Sequence, residues 1–294
     1  MRIVSLTPSA TEIVHALGME DHLVGVTFEC DFPPDPRTAN AVVVGGLDAA
    51  GRTPAEIDDL VRSKIAAGDQ LYELDAEGFR SCDPTHVLTQ DLCRVCALPA
   101  GDAQDALDHI GCSAEALTLD PHTLHEVLET IADTARFLGV DERGDQVVAV
   151  LRSRLADVAA SVGESPRPKV FVLEWSDPPF LSGHWVPDLV VAAGGEPVLA
   201  EAGGRSVPTD WATIAEQRPD VVVVAPCGFG LDDAADQARQ VLDRLPAHGQ
   251  VWAIDADGLV VRPGPRLVDG VEALAAILHP DLVDGAHPAV RRVR

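Results

Sequence analysis

Thiol and imidazole side chains are the groups of this chain that could bind a metal ion or carry out redox chemistry. Cys93 and Cys96 form a Cys-x-x-Cys pair, and Cys227 follows an apolar run in the second half as that pair does in the first. Three thiolates, together with His184 or Glu174, could bind a soft metal ion, and the pair alone could cycle between thiol and disulfide. The alternative is that these cysteines are small buried residues that pack like alanine.

A second group of side chains suits the binding of a flat, partly apolar ligand. Aromatic residues make up only 4% of the chain. Residues 174–187 nevertheless contain a concentration of large or polar side chains, namely Glu174, Trp175, Phe180, His184 and Trp185. The apolar run at residues 170–173 predicts a buried parallel strand, and a long loop at the carboxyl end of such a strand is where α/β folds bind ligands. The alternative is that the aromatic residues cap the sheet, but their concentration favours ligand binding.

Three residues further along the chain are weaker candidates for the same site. Trp211 follows a polar segment at the predicted start of a helix, where it could stack on a ligand or anchor the core. Asp255 and Arg262 precede the last helix, and an arginine there could bind a phosphate, amide or carboxylate. The alternative for the arginine is that it caps its own loop.

The common enzymatic motifs are absent from the sequence. It contains no GxxxxGK[ST] loop, no GxGxxG after a strand, no GxSxG elbow and no HExxH motif. We therefore expect a binding protein rather than an enzyme, with a thiol- or metal-dependent enzyme as the alternative.

Composition limits the partners and the location of the protein. A net charge of −25 and a pI near 4.5 argue against nucleic acid or an anionic membrane as the partner. No apolar run is long enough to span a bilayer, and the N-terminus enters a strand directly without a signal-peptide pattern. Six cysteines in 294 residues do not form a disulfide framework. These features predict a cytoplasmic protein without direct membrane insertion.

The order of the predicted elements indicates two α/β lobes. Strands are predicted at residues 3–6, 23–26, 85–89 and 116–119, and again at 170–173, 197–199, 221–225 and 251–254. Ser9 and Glu12 suggest a capping box at the first helix, and Pro54 after Thr53 marks the start of another. The longest helical pattern covers residues 141–162. We therefore predict lobes at 1–140 and 166–294, a bridging helix and linker at 141–165, and a loosely ordered tail after residue 280.

Five stretches, taken in order, resemble the vitamin B12-binding proteins of ABC importers. They are SLTPSATEIVHALG at 5–18, VTFECDFPP at 26–34, EWSDPPFLSGHW at 174–185, RPDVVVVAPCGF at 218–229 and RPGPRLVDGVEALA at 262–275. The resemblance extends over essentially the whole chain. The sequence is similar to the BtuF-like cobalamin-binding group of substrate-binding proteins, known as class III or periplasmic binding protein type 2. It departs from the family pattern around residues 60–81, which resemble an insertion, and at residues 45–47, which stand where the family has an aromatic residue.

This resemblance implies a fold and a set of site residues. The fold is two Rossmann-like lobes joined by one long backbone helix, the helical-backbone metal receptor type, with the ligand in the interlobe cleft. Aromatic residues of both lobes enclose the corrin, and the matching positions here are Phe28 in the first lobe and Trp211 with residues 179–180 in the second. The resemblance places Asp255 or Arg262 near the amide rim of the ligand. In the family one glutamate of each lobe docks onto the permease, and Glu56 and Glu216 lie near those places, although both could equally be solvated surface residues.

These observations lead to three functional hypotheses. The first is a cytoplasmic carrier, chaperone or sensor that binds a cobalamin-like corrinoid or a related metal-tetrapyrrole, with His184 or a cysteine as a candidate axial ligand. The second is a metal or redox centre formed by Cys93, Cys96 and Cys227 in an enzyme. The third is a conventional ABC-importer receptor for B12 or an iron chelate, periplasmic or lipid-anchored, which requires a coding start upstream of Met1.

Overall fold

A computed structural model describes residues 1–33, 36–47, 49, 51–91, 113–283 and 287–294. The chain divides into two compact units. Unit 1 comprises Met1–Pro121 and Leu128–Val148, and unit 2 comprises His122–Val127 and Ala149–Arg294. Among the residues that the structure describes, no helix is both long and apolar enough to cross a membrane.

The described part of unit 1 contains a six-stranded sheet with the order β4-β3-β2-β1-β5-β6. Its strands are β1 (Ile3–Ser5), β2 (Leu23–Thr27), β3 (Ala41–Gly45), β4 (Glu73–Leu74), β5 (His86–Gln90) and β6 (Glu115–Leu119). All neighbours are parallel except β4, which runs antiparallel to β3. A buried cluster that includes Val4, Val44, Phe79 and Val87 forms the core on one side of this sheet.

The helices of unit 1 begin where the sequence provides caps. They are α1 (Pro8–Ala16), α2 (Pro54–Ala67) and α3 (Ala76–Ser81), with short 3-10 helices at Glu20–His22 and Pro36–Thr38. In α2, Thr53 and Glu56 form a capping box, and Gly68 ends the helix in the left-handed region at φ 78°. The capping box predicted at Ser9 is wrong. Helix α1 begins two residues earlier because Pro8 fits the first helical position, and Thr7 is the N-cap.

Two of the three points where the chain passes between the units lie within consecutive helices, and the third lies between Pro121 and His122. Helix α4 (Leu124–Phe137) starts in unit 2 and continues in unit 1, and α5 (Asp141–Val162) starts in unit 1 and continues in unit 2. In unit 1, Arg143 donates to the carbonyl oxygens of Leu17 (3.1 Å) and Gly18 (2.9 Å) at the end of α1. In unit 2, Arg154 pairs with Asp269 and with Glu272 at 2.6 Å. Polar contacts thus hold α5 within each unit.

Unit 2 contains a seven-stranded sheet among its described residues. The order is β10-β8-β7-β11-β12-β13, and β9 also pairs with β7. Its strands are β7 (Lys169–Ser176), β8 (Pro179–Leu181), β9 (Glu196–Pro197), β10 (Val207–Pro208), β11 (Val221–Val224), β12 (Gln250–Ile254) and β13 (Val290–Arg292). Its helices after α5 are α6 (Val186–Ala192), α7 (Trp211–Gln217), α8 (Leu231–Gln240), α9 (Ala256–Leu259) and α10 (Leu267–Leu278).

Two segments of unit 2 differ from the sequence prediction. Residues 174–187 are not one long loop, because β7 continues to Ser176 and the chain returns antiparallel as β8. Residues 290–292 are not a loose tail, because β13 pairs antiparallel with β12 and satisfies the backbone groups of its open edge. A tight hairpin therefore fixes β8, and a non-local strand pairing fixes β13.

Candidate functional site

The loops that follow three adjacent parallel strands of unit 2 meet at one edge of its sheet. Strands β7, β11 and β12 are parallel neighbours, so their carboxyl ends lie side by side. Glu174 and Trp175 lie at the end of β7, Cys227 follows β11, and Asp255 follows β12. The carboxyl edge of a parallel sheet is where α/β folds bind ligands, so this edge is the candidate site of unit 2.

Contacts between these loops fix the shape of the edge. The rings of Trp175 and Phe229 lie 5.8 Å apart between centroids at a tilt of 51°. The backbone N–H of Cys227 donates to the carbonyl of Glu174 at 3.2 Å, and the N–H of Asp257 donates to the carbonyl of Phe229 at 3.2 Å. Three loops are therefore joined around a half-buried aromatic pair. Sequence analysis missed Phe229, although its place two residues after Cys227 is a usable signal.

The hairpin of β7 and β8 adds Phe180 to this region. Phe180 is the cross-strand partner of Trp175, and it is half-buried. The carboxylate of Glu174 accepts a hydrogen bond from the N–H of Gly183 at 3.2 Å. The hairpin thus brings Glu174, Trp175 and Phe180 close together through strand pairing rather than through a loop. Ligand contact by any of the three stays a prediction.

Trp185 lies in the interior of unit 2 rather than on its surface. Its side chain is only 5% exposed, and the indole N–H donates to the carbonyl of Val260 at 2.7 Å. The ring is therefore buried, although the sequence predicted that it would be available to a ligand. Its contacts support the loop that precedes α10.

His184 is fixed by its backbone. It has a φ of 50°, its N–H donates to the carbonyl of Gly204 at 2.6 Å, and its carbonyl accepts from Gly203 at 2.9 Å. Its imidazole stacks on that of His122 with ring centroids 6.0 Å apart. His122 comes from the segment before α4, so sequence spacing gave no signal for this pair.

Asp255 and Arg262 have defined structural contacts. Asp255 is the N-cap of α9 and accepts from the N–H of Gly258 at 3.2 Å. Arg262 is 8% exposed and forms an ion pair with Asp257 at 2.5 Å. These contacts fit the loop-capping alternative, and a ligand contact for either residue stays a prediction.

Trp211 is the first residue of α7, and it is half-buried against the core of unit 2. The guanidinium of Arg244 lies over its ring at 5.8 Å from the centroid, which is a cation–π distance. These contacts fit the core-anchor alternative for Trp211, and a ligand contact stays a prediction.

In unit 1 the candidate residue Phe28 directly follows β2. Its N–H donates to the carbonyl of Val44 at 3.0 Å, and its ring lies 6.3 Å from that of Tyr72. A Cβ on Gly46 would lie 2.3 Å from the Phe28 ring, so the glycine leaves room for it. Tyr72 belongs to the insertion-like segment and is the only tyrosine of the chain, a signal that sequence analysis did not use.

Buried hydroxyl groups lie near the ends of β1 and β5 in the same unit. The hydroxyls of Thr7 and Ser9 donate to the side-chain oxygen of Gln90 at 3.1 and 3.2 Å. Thr11 donates to the hydroxyl of Ser5 at 2.8 Å. This network fixes the start of α1, and it too was missed because its members are far apart in sequence.

The cysteine hypothesis receives no support from the described residues. Cys93 and Cys96 lie outside the described residues, and Cys227 is a half-buried free thiol. Within the ranges that the structure describes, no group of three or more His, Cys, Asp or Glu side chains could hold a metal ion.

Glu56 and Glu216 lie on exposed helices. The carboxylate of Glu56 accepts from the N–H and hydroxyl of Thr53 at 2.8 and 2.9 Å, and these hydrogen bonds lower the pKa of Glu56. Glu216 is exposed near the end of α7. Docking by either residue stays a prediction.

Comparison with known proteins agrees with this architecture. Residues 98–257, more than half of the chain, match the periplasmic binding protein family. An uncharacterized ABC transporter substrate-binding lipoprotein of Bacillus subtilis, YvrC, is 27% identical over 288 residues, which cover 95% of this chain and 80% of the relative. The vitamin B12-binding protein of Vibrio cholerae is 25% identical over 284 residues, 94% of this chain and 88% of the relative.

Solved structures show the same fold. The periplasmic heme-binding protein RhuT of Roseiflexus sp. RS-1, in its apo form, has a TM-score of 0.70 at 25% identity, covering 96% of this chain and 99% of that one. The periplasmic vitamin B12-binding protein BtuF of Vibrio cholerae has a TM-score of 0.67 at 21% identity, with 94% and 96% covered. Relatives of this kind are substrate-binding proteins rather than enzymes, as the missing catalytic motifs predicted. The chain therefore belongs to the periplasmic binding protein family, as a BtuF-like class III substrate-binding protein.

Proposed function

We propose that this protein binds a cobalamin-like corrinoid, or a related metal-tetrapyrrole, as the substrate-binding component of an ABC importer. The names of its relatives support both parts, because they include vitamin B12-binding proteins, heme-binding proteins and an ABC transporter lipoprotein. The carboxyl edge of unit 2 carries the proposal. There a half-buried aromatic pair, Trp175 and Phe229, lies among polar groups, as a flat macrocycle with a polar rim requires.

The residues assigned to the ligand follow from this surface. Trp175, Phe180 and Trp211 would contact the macrocycle in unit 2, and Phe28 is the corresponding residue of unit 1. Glu174, His184, Asp255 and Arg262 are the polar candidates for its rim or its metal. Trp185 would contribute indirectly, because its hydrogen bond to Val260 supports the loop that precedes α10.

The partner and the location are further parts of the proposal. Glu56 and Glu216 are the candidate contacts with a permease. The relatives named as a lipoprotein and as periplasmic proteins favour an extracytoplasmic receptor over the cytoplasmic carrier expected from composition. Fractionation of the native cell, with detection of the protein by antibody, distinguishes the two locations. Lobes at 1–140 and 166–294 with a bridge at 141–165 remain the proposed domain division.

Titration of the purified protein tests ligand binding. Dicyanocobinamide, cyanocobalamin and hemin are each added while the visible spectrum is recorded, and calorimetry provides the stoichiometry. We expect saturable binding of at least one of them at one site per chain. Trp175→Ala should weaken that binding, whereas Trp252→Phe, a change in strand β12, should not. Absence of binding to all three compounds would refute the proposal.

A further inference from the structure

The backbone of Phe28, the aromatic candidate of unit 1, is held by hydrogen bonds on both of its polar groups. Its N–H donates to the carbonyl of Val44 in β3 at 3.0 Å. Its carbonyl accepts from the guanidinium of Arg37 at 2.7 Å. The residue is half-buried, and the freedom that remains to it is the rotation of its side chain. The direction of the Phe28 ring therefore depends on what the ring contacts.

Gly46 provides the space in which the Phe28 ring lies. A Cβ built on Gly46 would come within 2.3 Å of Cε1 and 2.4 Å of Cζ of that ring, much closer than the 3.4–4 Å of ordinary contact. Gly46 is not among the described glycines with a positive φ, so its backbone conformation does not require a glycine. The glycine is required because the ring lies directly against the backbone.

Tyr72 contacts the same ring from the insertion-like segment. The two ring centroids lie 6.3 Å apart at a tilt of 43°, within the range of roughly 4.5–7 Å that aromatic pairs prefer. The side chain of Tyr72 is only 7% exposed, and it belongs to the buried cluster against which Phe28 packs. A Cβ on Gly46 would also lie 3.3 Å from the Tyr72 ring. The two rings and Gly46 therefore meet at one point.

Strand β4 fixes the place of Tyr72. Its two residues pair antiparallel with residues 44–45 of β3, with Leu74 opposite Val44 and Glu73 opposite Gly45. Continued by one residue at the end of the two strands, this register sets Tyr72 opposite Gly46. The strand pairing thus delivers the tyrosine to the position where the glycine leaves room for Phe28.

We infer that Tyr72 and Gly46 are positioning residues that hold the Phe28 ring in the orientation in which it contacts the ligand. The inference rests on the proposed function, in which Phe28 is the ligand contact of unit 1. Both residues lie in the segments that depart from the family pattern, so the resemblance does not imply this arrangement. A ring that is already held in one orientation loses less conformational entropy on binding. Because Tyr72 is buried, it acts through Phe28 and not on the ligand directly.

A double-mutant cycle on ligand affinity tests the role of Tyr72. Dicyanocobinamide, cyanocobalamin and hemin are titrated into the wild-type protein, and a compound that binds is used for the variants. Phe28→Ala should weaken binding, and Tyr72→Ala should weaken it roughly three- to tenfold, as expected for the loss of one aromatic pair. In the Phe28→Ala background, Tyr72→Ala should lower stability but cause no further loss of affinity. Tyr72→Phe retains the ring and should retain the affinity.

Two neighbouring glycines provide the matched pair for the role of Gly46. Gly46→Ala should weaken binding, because its Cβ displaces the Phe28 ring. Gly45→Ala should leave the affinity unchanged, because a Cβ there would meet nothing within 4 Å. If Tyr72→Ala does not fold, Tyr72→Leu keeps a buried apolar side chain without the flat ring and completes the same cycle.

The pattern of results separates this inference from the proposed function. If the wild-type protein binds none of the three compounds, both are wrong. If it binds one, only this inference is wrong when Phe28→Ala leaves the affinity unchanged, or when the effects of Phe28→Ala and Tyr72→Ala add in free energy. Equal affinities of the Gly46→Ala and Gly45→Ala variants would also overturn the inference alone.

Discussion

Each unit contains its own, mainly parallel sheet, but the side chains at the carboxyl ends of the strands differ between the two units. In unit 1 the carboxyl ends of β1 and β5 carry buried hydroxyls and Gln90, and Phe28 is the candidate aromatic contact. In unit 2 the same edge carries Trp175 and Phe229, and an antiparallel hairpin extends the sheet beside them. For the proposed ligand we therefore expect the described edge of unit 1 to provide a polar frame, and that of unit 2 to provide most of the apolar contact surface.

The largest expected effect distinguishes the two tryptophans of the unit 2 hairpin region. Trp185→Ala should lower the free energy of unfolding by about 3–5 kcal/mol, because it opens a cavity and leaves the Val260 carbonyl without its donor. Trp175→Ala should cost less stability but weaken tetrapyrrole binding. Chemical denaturation and absorbance titration of both variants measure the two effects. Equal losses of stability would contradict the assigned roles.

Two glycine substitutions test whether the close backbone contact between residues 183 and 206 of unit 2 is rigid. Gly183→Ala should cost about 1–3 kcal/mol, because its Cβ would meet the backbone of Ser206 at 2.3 Å. Gly45→Ala in β3 is the control in unit 1, where a Cβ would meet nothing within 4 Å. Thermal unfolding of both variants measures the difference. If Gly183→Ala left the unfolding temperature unchanged, the backbone contact between residues 183 and 206 would be deformable.

The polar frame of unit 1 is tested at Gln90. Gln90→Ala removes the acceptor shared by Thr7 and Ser9. Their hydroxyls lie 3.2 Å apart, so one can donate to the other, but the second loses its acceptor, which should cost about 1–3 kcal/mol. Affinity for the tetrapyrrole should change less than in Trp175→Ala. If the Gln90 variant kept native stability but bound the tetrapyrrole much more weakly, the principal ligand contacts would have to be assigned to unit 1 instead of unit 2.

The smallest expected effect is the loss of stability when a charged helix cap is neutralised, and it should be similar in the two units. Glu56 belongs to the capping box of α2 in unit 1, and Asp210 is the N-cap of α7 in unit 2. Hydrogen bonds from Thr53 lower the pKa of Glu56, and hydrogen bonds from Thr213 lower the pKa of Asp210. The stabilisation is therefore present above the ordinary pKa and lost as pH falls through the lower folded value. Urea unfolding of Glu56→Gln and Asp210→Asn should show a difference from wild type at pH 7 that disappears in acid. A difference that persists in acid would mean that the charge does not stabilise the cap.

Local signals in the sequence determined much of the fold. Helix α5 has the bounds predicted from its apolar period, and the cap at Thr53 begins α2 as expected. The valine run of β11 and the motifs around it identified a buried parallel strand and the family. These features depend on residues close together in sequence, where side-chain period and capping groups act directly on the backbone.

Only the tertiary structure decided which candidate side chains are enclosed in the core and which stay partly exposed. Trp175 and Trp185 have the same residue type and lie in the same motif, yet one is half-buried beside Phe229 and the other is enclosed. Strand β13, and the contact of Tyr72 with Phe28, depend on pairing between distant segments. The burial of a side chain depends on residues far along the chain. A local pattern therefore identifies an aromatic residue as a candidate, but it does not determine whether the ring is buried or exposed.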